Sequence, residues 1–436
     1  IRNMKKTLLL IAALLTGFSS MAQETYKPTA ENLKAREQFQ DEKFGIFLHW
    51  GLYSMMGTTE WIMTNRDINY KEYPKLAKTF YPSEFDADAW VKAIKAAGAK
   101  YITITTRHHD GFSLFKTATS TYNSVDGTPF KRDIIKEMAD ACQRNGIKLH
   151  LYYSHLDWGR EDYPVGRTGT GTGRPKEKAN WASYYKFMNT QLTELLTNYG
   201  KVGAIWFDGW WDHDSDAKPF DWQLEEQYAL IHKLQPQCLV ANNHHHTPFP
   251  GEDIQIFERD LPGENKAGLS GQSIGRLPLE SCQTINEHWG YNITDTLYKS
   301  PKELIQMLVR AAGKNANLLL NIGPEPGGAL PELALDRLQS LGKWLNQYGE
   351  TIYGTRGGFV GPHDWGVSTQ GGNKLYIHIL NCMDSSLFIP TGNHKIKSAT
   401  VFGTNKRVNF TKTGNGITLN FDTVPTDIDY IVELML

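Results

Sequence analysis

From about residue 36 to residue 348 the chain alternates short apolar, β-branched runs with longer segments of helical spacing. This alternation narrows the fold more than any other feature. A strand followed by a crossover helix brings the chain back parallel to itself and builds a sheet covered by helices. Strands are predicted over 44–50, 100–107, 147–154, 202–207, 238–242, 253–258, 279–285 and 316–322. Helices are predicted over 85–98, 133–145, 180–199, 222–234, 301–312 and 331–348. Trp90, Ile94 and Ala97 carry the helical spacing of the first of these, and Gly98, Gly146 and Gly200 stand as stops. Eight strands with helices between most of them predict an α/β fold, a (β/α)8 TIM-like barrel. No convincing helix precedes the sixth strand, so the helices around strands five and six are expected to be weak or missing. After Gly349 the texture changes to short alternating runs at 375–380, 387–390, 399–402, 408–410, 417–421 and 430–434, separated by Gly/Asn-rich turns. These predict a C-terminal antiparallel β-sandwich, a packing module for the barrel. The expected domains are a barrel over 23–350 and a sandwich over 351–436.

Residues 1–22 read as a signal peptide, with residues 1–3 upstream of Met4. Lys5 and Lys6 form a positive start, 8–15 an apolar core, and Ser20-Met21-Ala22 a cleavage site after Ala22. The apolar run is shorter than the ~20 residues a spanning helix needs. The expectation is therefore an exported protein, periplasmic or secreted, with no membrane span. Lys and Arg number 46 against 47 Asp and Glu, a formal net charge of −1, which gives no reason to expect a nucleic-acid partner. Cys142, Cys238, Cys282 and Cys382 form no CxxC and read as small apolar side chains rather than a disulfide framework.

In a barrel of this kind the C-terminal tips of the strands line the active site. Read at those positions, the sequence offers His49-Trp50-Gly51, then His108-His109-Asp110, then Tyr152-Tyr153-Ser154-His155. Next come Trp206-Phe207-Asp208-Gly209, Asn242-Asn243-His244-His245-His246, Glu258-Arg259-Asp260, and Glu287-His288-Trp289. One polar tip is commonly structural; polar residues ending at least six strands are hard to assign to stability alone. Asp208 follows the apolar run 202–207 and is fenced by Trp206, Trp210 and Trp211. The aromatic content of 12% suits stacking on sugar rings.

Adjacent strand residues point to opposite faces, so His108-His109 and the 244–246 run are poor metal chelates. No metal or cofactor is expected, and neutral imidazoles also serve as partners for sugar hydroxyls. Glycoside hydrolysis calls for two carboxylates flanking the scissile bond. Asp208 and Glu258, on strands four and six, can face each other across one rim. Asp208 reads as nucleophile and Glu258 as acid/base. Glu252, Asp253, Glu264, Glu280 and Glu287 compete for the second role, with Glu264 and Glu280 the main rivals.

The motifs at 44–51, Glu60-Trp61, 108–112, 152–154, 206–209 and 321–324 resemble those of the α-L-fucosidases of glycoside hydrolase family 29. The resemblance runs over nearly the whole barrel. It implies a retaining exo-hydrolase of terminal α-L-fucose, acting on fucosylated oligosaccharides or glycoconjugates, with Asp208 as nucleophile. It also implies that His49, His108 and His109 bind the sugar, together with Glu60, Trp61, Trp206 and Tyr152 or Tyr153. Trp289 would pack against the apolar side of the ring and its C5 methyl. His244, at the tip of strand five, is a further candidate ligand that no family motif fixes. Two alternatives stand beside this reading: a hydrolase of a related sugar such as an α-L-galactoside, and an inactive glycan-binding protein. The loop at 159–178, rich in Gly, Thr and Arg, is either an exposed loop or part of the leaving-group side.

Overall fold

The structure, a computed structural model, describes residues 26–436, so the leader and cleavage site read in residues 1–22 lie outside the described residues. Eight strands form one sheet: β1 (Phe44–Leu48), β2 (Tyr101–Arg107), β3 (Lys148–Ser154), β4 (Ala204–Asp208), β5 (Leu239–Asn243), β6 (Gln255–Glu258), β7 (Leu279–Thr284) and β8 (Ala316–Ile322). Their order is β5-β4-β3-β2-β1-β8-β7-β6, and every hydrogen-bonded pair is parallel. The two outer strands meet through one bridge, Ala241 to Ile254. The barrel is thus closed at a single point.

Helices Ala87–Ala96, Ile134–Asn145, Trp181–Asn198, Leu224–Leu234, Pro301–Gly313 and Glu332–Tyr348 cover the outside. Asp86, Asp133, Asn180 and Ser300 cap four of them by accepting a backbone N–H in the first turn. Among the described residues no helix lies between β5 and β6 or between β6 and β7, and loops cross there. Besides the one-turn helix Ile62–Asn65, one helix, Ala30–Glu42, lies outside the predicted set. It buries only Asn32 and Phe39, so it shows no apolar stripe to read.

Alternation along each strand sorts the side chains. Phe47, Tyr101, Tyr152, Ala204, Trp206, Leu239, Ala241, Ile256, Cys282 and Leu319 fill the barrel interior. Gly45 makes room for this packing, since a Cβ there would lie 2.3 Å from the Tyr101 ring. The alternate residues, among them Ile46, Ile102, Leu151, Tyr153 and Phe207, pack outward beneath the helices.

The C-terminal strands form a five-stranded and a three-stranded antiparallel sheet around Leu375, Ile377, Ile389, Ile417, Leu419 and Val432. The strand Gly366–Gly371 escaped sequence reading because its buried side chains include Ser368 and Thr369. Their hydroxyls donate to the carbonyls of Val360 and Thr351 at 2.7 and 2.6 Å. The sandwich rests on the barrel helix Pro301–Gly313, whose Gln306 donates to Leu380 O and Ile428 O. All four cysteines are free.

Behind the tips of β2 and β3 lies a fully buried ion pair, Arg107 with Asp157. Arg107 also donates to Ser154 O at 3.0 Å and to Tyr184 Oη at 2.8 Å. The other oxygen of Asp157 accepts the N–H groups of Gly159 and Arg160 at 2.7 and 2.9 Å. Asp157→Ala leaves the guanidinium buried without its counter-charge. It is expected to lower stability by about 3–5 kcal/mol, measured as a shift of the urea unfolding transition.

Candidate active site

The inward-facing side chain at the tip of β4 is Asp208. Gly209 follows with φ 95°, a left-handed conformation that favours glycine. This turn lets the Gly209 N–H donate back to Asp208 Oδ1 at 2.9 Å. Trp211 Nε1 donates to the same oxygen at 3.0 Å, and Tyr152 Oη donates to Oδ2 at 3.1 Å. His109 Nε2 stands 3.4 Å from Oδ2. Burial works against a charge here. The hydrogen bond and charge of His109, then Trp211 and the charge of His245, outweigh it and hold Asp208 down at about 2.

Glu258 faces inward at the tip of β6. Its Oε2 accepts from Asn243 Nδ2 at 2.8 Å and pairs with His245 Nε2 at 2.9 Å. The same Asn243 Nδ2 lies 3.4 Å from Asp208 Oδ1. One amide nitrogen therefore touches both carboxylates, which puts those two oxygens within about 6 Å of each other, the limit set by its two contacts.

These groups open into a pocket of about 180 Å³. Phe47, Trp206, Leu269, Cys282 and Trp289 give it an apolar side; His49, Glu60, His108, Asp208 and Glu258 give it a polar one. Trp61 stacks on Trp211 with ring centroids 5.5 Å apart, and both line the pocket. Arg167, from the loop at 159–178, lines it too. Asn321 Nδ2 donates to Trp289 O at 2.7 Å, which turns its Oδ1 toward His49 Nδ1 at 2.6 Å. His49 is thereby a Nδ1–H donor whose Nε2 carries the lone pair. Burial lowers His49 to about 4 against the Asn321 hydrogen bond, and burial with the neighbouring histidines drives His108 well below its ordinary value. Both are neutral imidazoles near pH 7. Glu60 Oε2 accepts the Gly290 N–H at 2.9 Å.

The structure brings His49, Glu60, Trp61, His108, His109, Tyr152, Trp206, Trp289, Asp208 and Glu258 together. Two candidate ligands are corrected. Tyr153 points outward and donates to Gln191 Oε1 at 2.7 Å under the helix Trp181–Asn198. The register pairs Ser154 with Asp208 and Tyr152 with Trp206, so only Tyr152 shares the inner face. His244 turns away to Glu252, 2.9 Å off, and it is His245 that enters the pocket. His245 has φ 65° and continues the inward parity of Ala241 and Asn243 past the end of β5. Among the rival acids, Glu264 binds Lys314 and Lys266 away from the pocket. Asp253 pairs with Arg36 and His232, Glu252 is held by His244 and Tyr228, and Glu287 is exposed in a loop. Asn243 and His245 stand in the strand-five tip and Asn321 opens the 321–324 motif, but the sequence assigned none of them a role; Arg167 is an addition. Among the described residues no group of three His, Cys, Asp or Glu side chains is arranged to hold a metal ion. No described helix is long and apolar enough to cross a membrane.

The α-L-fucosidase family model matches residues 13–350. The chain belongs to the α-L-fucosidase family. It is 31% identical to the plasma α-L-fucosidase of Rattus norvegicus over 78% of this chain and 76% of that one. Among solved structures, α-L-fucosidase isoenzyme 1 from Paenibacillus thiaminolyticus superposes with a TM-score of 0.82 at 34% identity, covering 93% of this chain and 99% of the other. The α-L-fucosidase of glycoside hydrolase family 29 from Bacteroides thetaiotaomicron, trapped as a covalent intermediate with 2-fluoro-fucosyl fluoride, gives 0.80 at 27% identity over 94% and 97% of the two chains. The protein is an α-L-fucosidase, a glycoside hydrolase whose substrate is a fucosylated glycan.

Below the pocket floor lies the remaining rival acid of this fucosidase. Glu280 is buried in the barrel and accepts from Tyr101 Oη at 2.7 Å and from Trp206 Nε1 at 2.9 Å. Burial raises it to about 7 despite those two donors. The fold thus favours its neutral form, against a value of about 4.3 in an unfolded chain. Its stabilising contribution is complete below about pH 4.3 and is lost as pH rises through about 7. In the Glu280→Gln variant this loss disappears. Between pH 5 and pH 8 the stability difference from the parent is expected to move by roughly 3 kcal/mol in the variant's favour, measured by denaturant unfolding at each pH.

Proposed function

We propose that this enzyme is a retaining exo-α-L-fucosidase working by double displacement through Asp208 and Glu258. The observation that carries the reading is the Asn243 amide touching both carboxylates. Retaining glycosidases hold the two groups ~5–5.5 Å apart, whereas inverting ones need ~6.5–9.5 Å to admit a water. Separation within about 6 Å favours the retaining geometry. Asp208, ionised and surrounded by donors, attacks the anomeric carbon to form a fucosyl-enzyme ester. Glu258 delivers a proton to the departing oxygen, then takes one from the water that attacks the ester. The covalent intermediate trapped in the Bacteroides relative supports this route.

A pocket of about 180 Å³ is smaller than the ~300–1,000 Å³ of ordinary ligand sites and suits one terminal sugar ring. His49, His108, His109 and Glu60 supply partners for ring hydroxyls. His49 Nε2 accepts a hydroxyl proton, since its Nδ1–H is committed to Asn321. Tyr152 and Trp206 support the nucleophile and the floor. The apolar side built by Phe47, Cys282 and Trp289 favours a C5 methyl over the hydroxymethyl of an α-L-galactoside. The leader read at residues 1–22 supports an exported enzyme.

Asp208→Asn is expected to lower kcat on an aryl α-L-fucoside by about three orders of magnitude or more, with the unfolding transition unchanged. A variant retaining most of its activity removes Asp208 from the nucleophile role. Glu258→Ala is expected to release an activated aryl group with little loss in the first step but to stall at the ester. Added azide should then restore turnover and yield a fucosyl azide, identified by mass spectrometry. No rescue would take the acid/base role away from Glu258.

A further inference from the structure

The assignment of Glu258 as acid/base leaves His245 without a task. Its Nε2 lies 2.9 Å from Glu258 Oε2, both side chains line the pocket, and Asn243 donates to the same carboxylate oxygen. The imidazole follows the inward parity of Ala241 and Asn243, and it stands on a left-handed backbone at φ 65°, which an L residue rarely takes up. The residue after the acid, Arg259, is also left-handed, at φ 58°. Two uncommon conformations thus flank one hydrogen bond.

We propose that His245 shares one proton with Glu258, so that the pair, rather than the carboxylate alone, holds the proton the free enzyme donates. The proposal rests on the reading of Glu258 as acid/base. In the resting pair the proton lies between His245 Nε2 and Glu258 Oε2. Transfer to Oε2 leaves His245 neutral and Glu258 as a carboxylic acid. That acid gives the proton to the leaving oxygen as the fucosyl ester forms. The proton later taken from water returns to Glu258 and is shared again, so each turnover leaves the pair as it began. The groups facing the pair are Asp208 from β4, Arg167 from the loop after β3, His246 beside it in the chain, His49 from β1 and Cys282 from β7. For His245, burial acts to lower its affinity for a proton, but the hydrogen bond and charge of Glu258, then Asp208, raise it overall, with Arg167 opposing. The pair therefore keeps its last proton to a higher pH than an isolated carboxylic acid would. His245 acts through Glu258 and is a positioning residue.

The test measures kcat/KM against pH for His245→Gln on two aryl fucosides, one with a good leaving group (dinitrophenyl) and one with a poor one (phenyl). The alkaline limb is expected to move down by about one pH unit or more. Above neutrality the phenyl substrate should lose about tenfold more than the dinitrophenyl substrate. An unmoved alkaline limb, with equal loss on both substrates, overturns the proposal. As a second measurement, the imidazole of His245 is titrated by nitrogen NMR in the parent and in Glu258→Gln. Its pKa should fall when Glu258 loses its charge, and an unchanged value also overturns the shared proton. Azide rescue of Glu258→Ala separates the two ideas. Rescue with an unmoved His245→Gln profile removes only the shared proton. No rescue removes the acid/base reading beneath it.

Discussion

The site is built around one buried negative charge. Asp208 sits where desolvation disfavours its charge, and it stays ionised because donors converge on both oxygens. Those donors come from separate places: Tyr152 from β3, His109 from the tip of β2, Asn243 from β5, Trp211 and the Gly209 N–H from the turn after β4. No local segment could assemble this set. It requires that strands distant in sequence hold a fixed register, which the parallel pairing of β2 through β5 supplies. The buried Arg107–Asp157 pair fixes the outer side of the same region. The loop it anchors carries Trp158, whose ring packs 5.2 Å from that of His109.

The two carboxylates have opposite surroundings for a physical reason. Asp208 lies on a strand hydrogen-bonded on both edges and is held by several donors. Glu258 ends a four-residue strand whose partner in the sheet is β7, beside the seam where the barrel closes. Around Glu258 the loop residues 244–246 and the turn at Arg259 set the environment. In the proposed mechanism, fixed donors suit a nucleophile that must stay charged. A partner that can itself gain and lose a proton suits a group that must do both within one cycle.

Much of the barrel was legible because its strands are apolar runs and its helices stop on glycine or start on a capping side chain. Asp208 and Glu258 were legible because each ends such a run. Inward-facing depth separated Glu258 from Glu280: one closes its strand, and the other stands second in β7, below the floor. The choice between Tyr152 and Tyr153 was not legible, since alternation fixes faces within a strand but register fixes which face two strands share. His245 was missed for the same reason. With Ala241 and Asn243 inward, alternation carries His245 inward and His244 outward, but which parity of β5 faces the barrel follows from its register with β4. The helix Ala30–Glu42 and the strand Gly366–Gly371 lack the apolar periodicity that makes an element visible.

The closing bridge between Ala241 and Ile254 divides the barrel into regions of unequal tolerance. On the side of β1 to β4 a helix lies in each crossover, and a change in length there would strain the packing behind the pocket-facing residues. At the seam no described helix constrains the crossings, and the loop from 259 to 278 runs on from Glu258 over the pocket with Leu269 in its wall. That loop is tied to the site through Leu269 and through Ser270, which donates to Glu258 O at 3.0 Å, and not through the strands that carry His49, His108 and Asp208. The strand-borne wall of the pocket and its loop-borne wall are thereby held by different means on one scaffold.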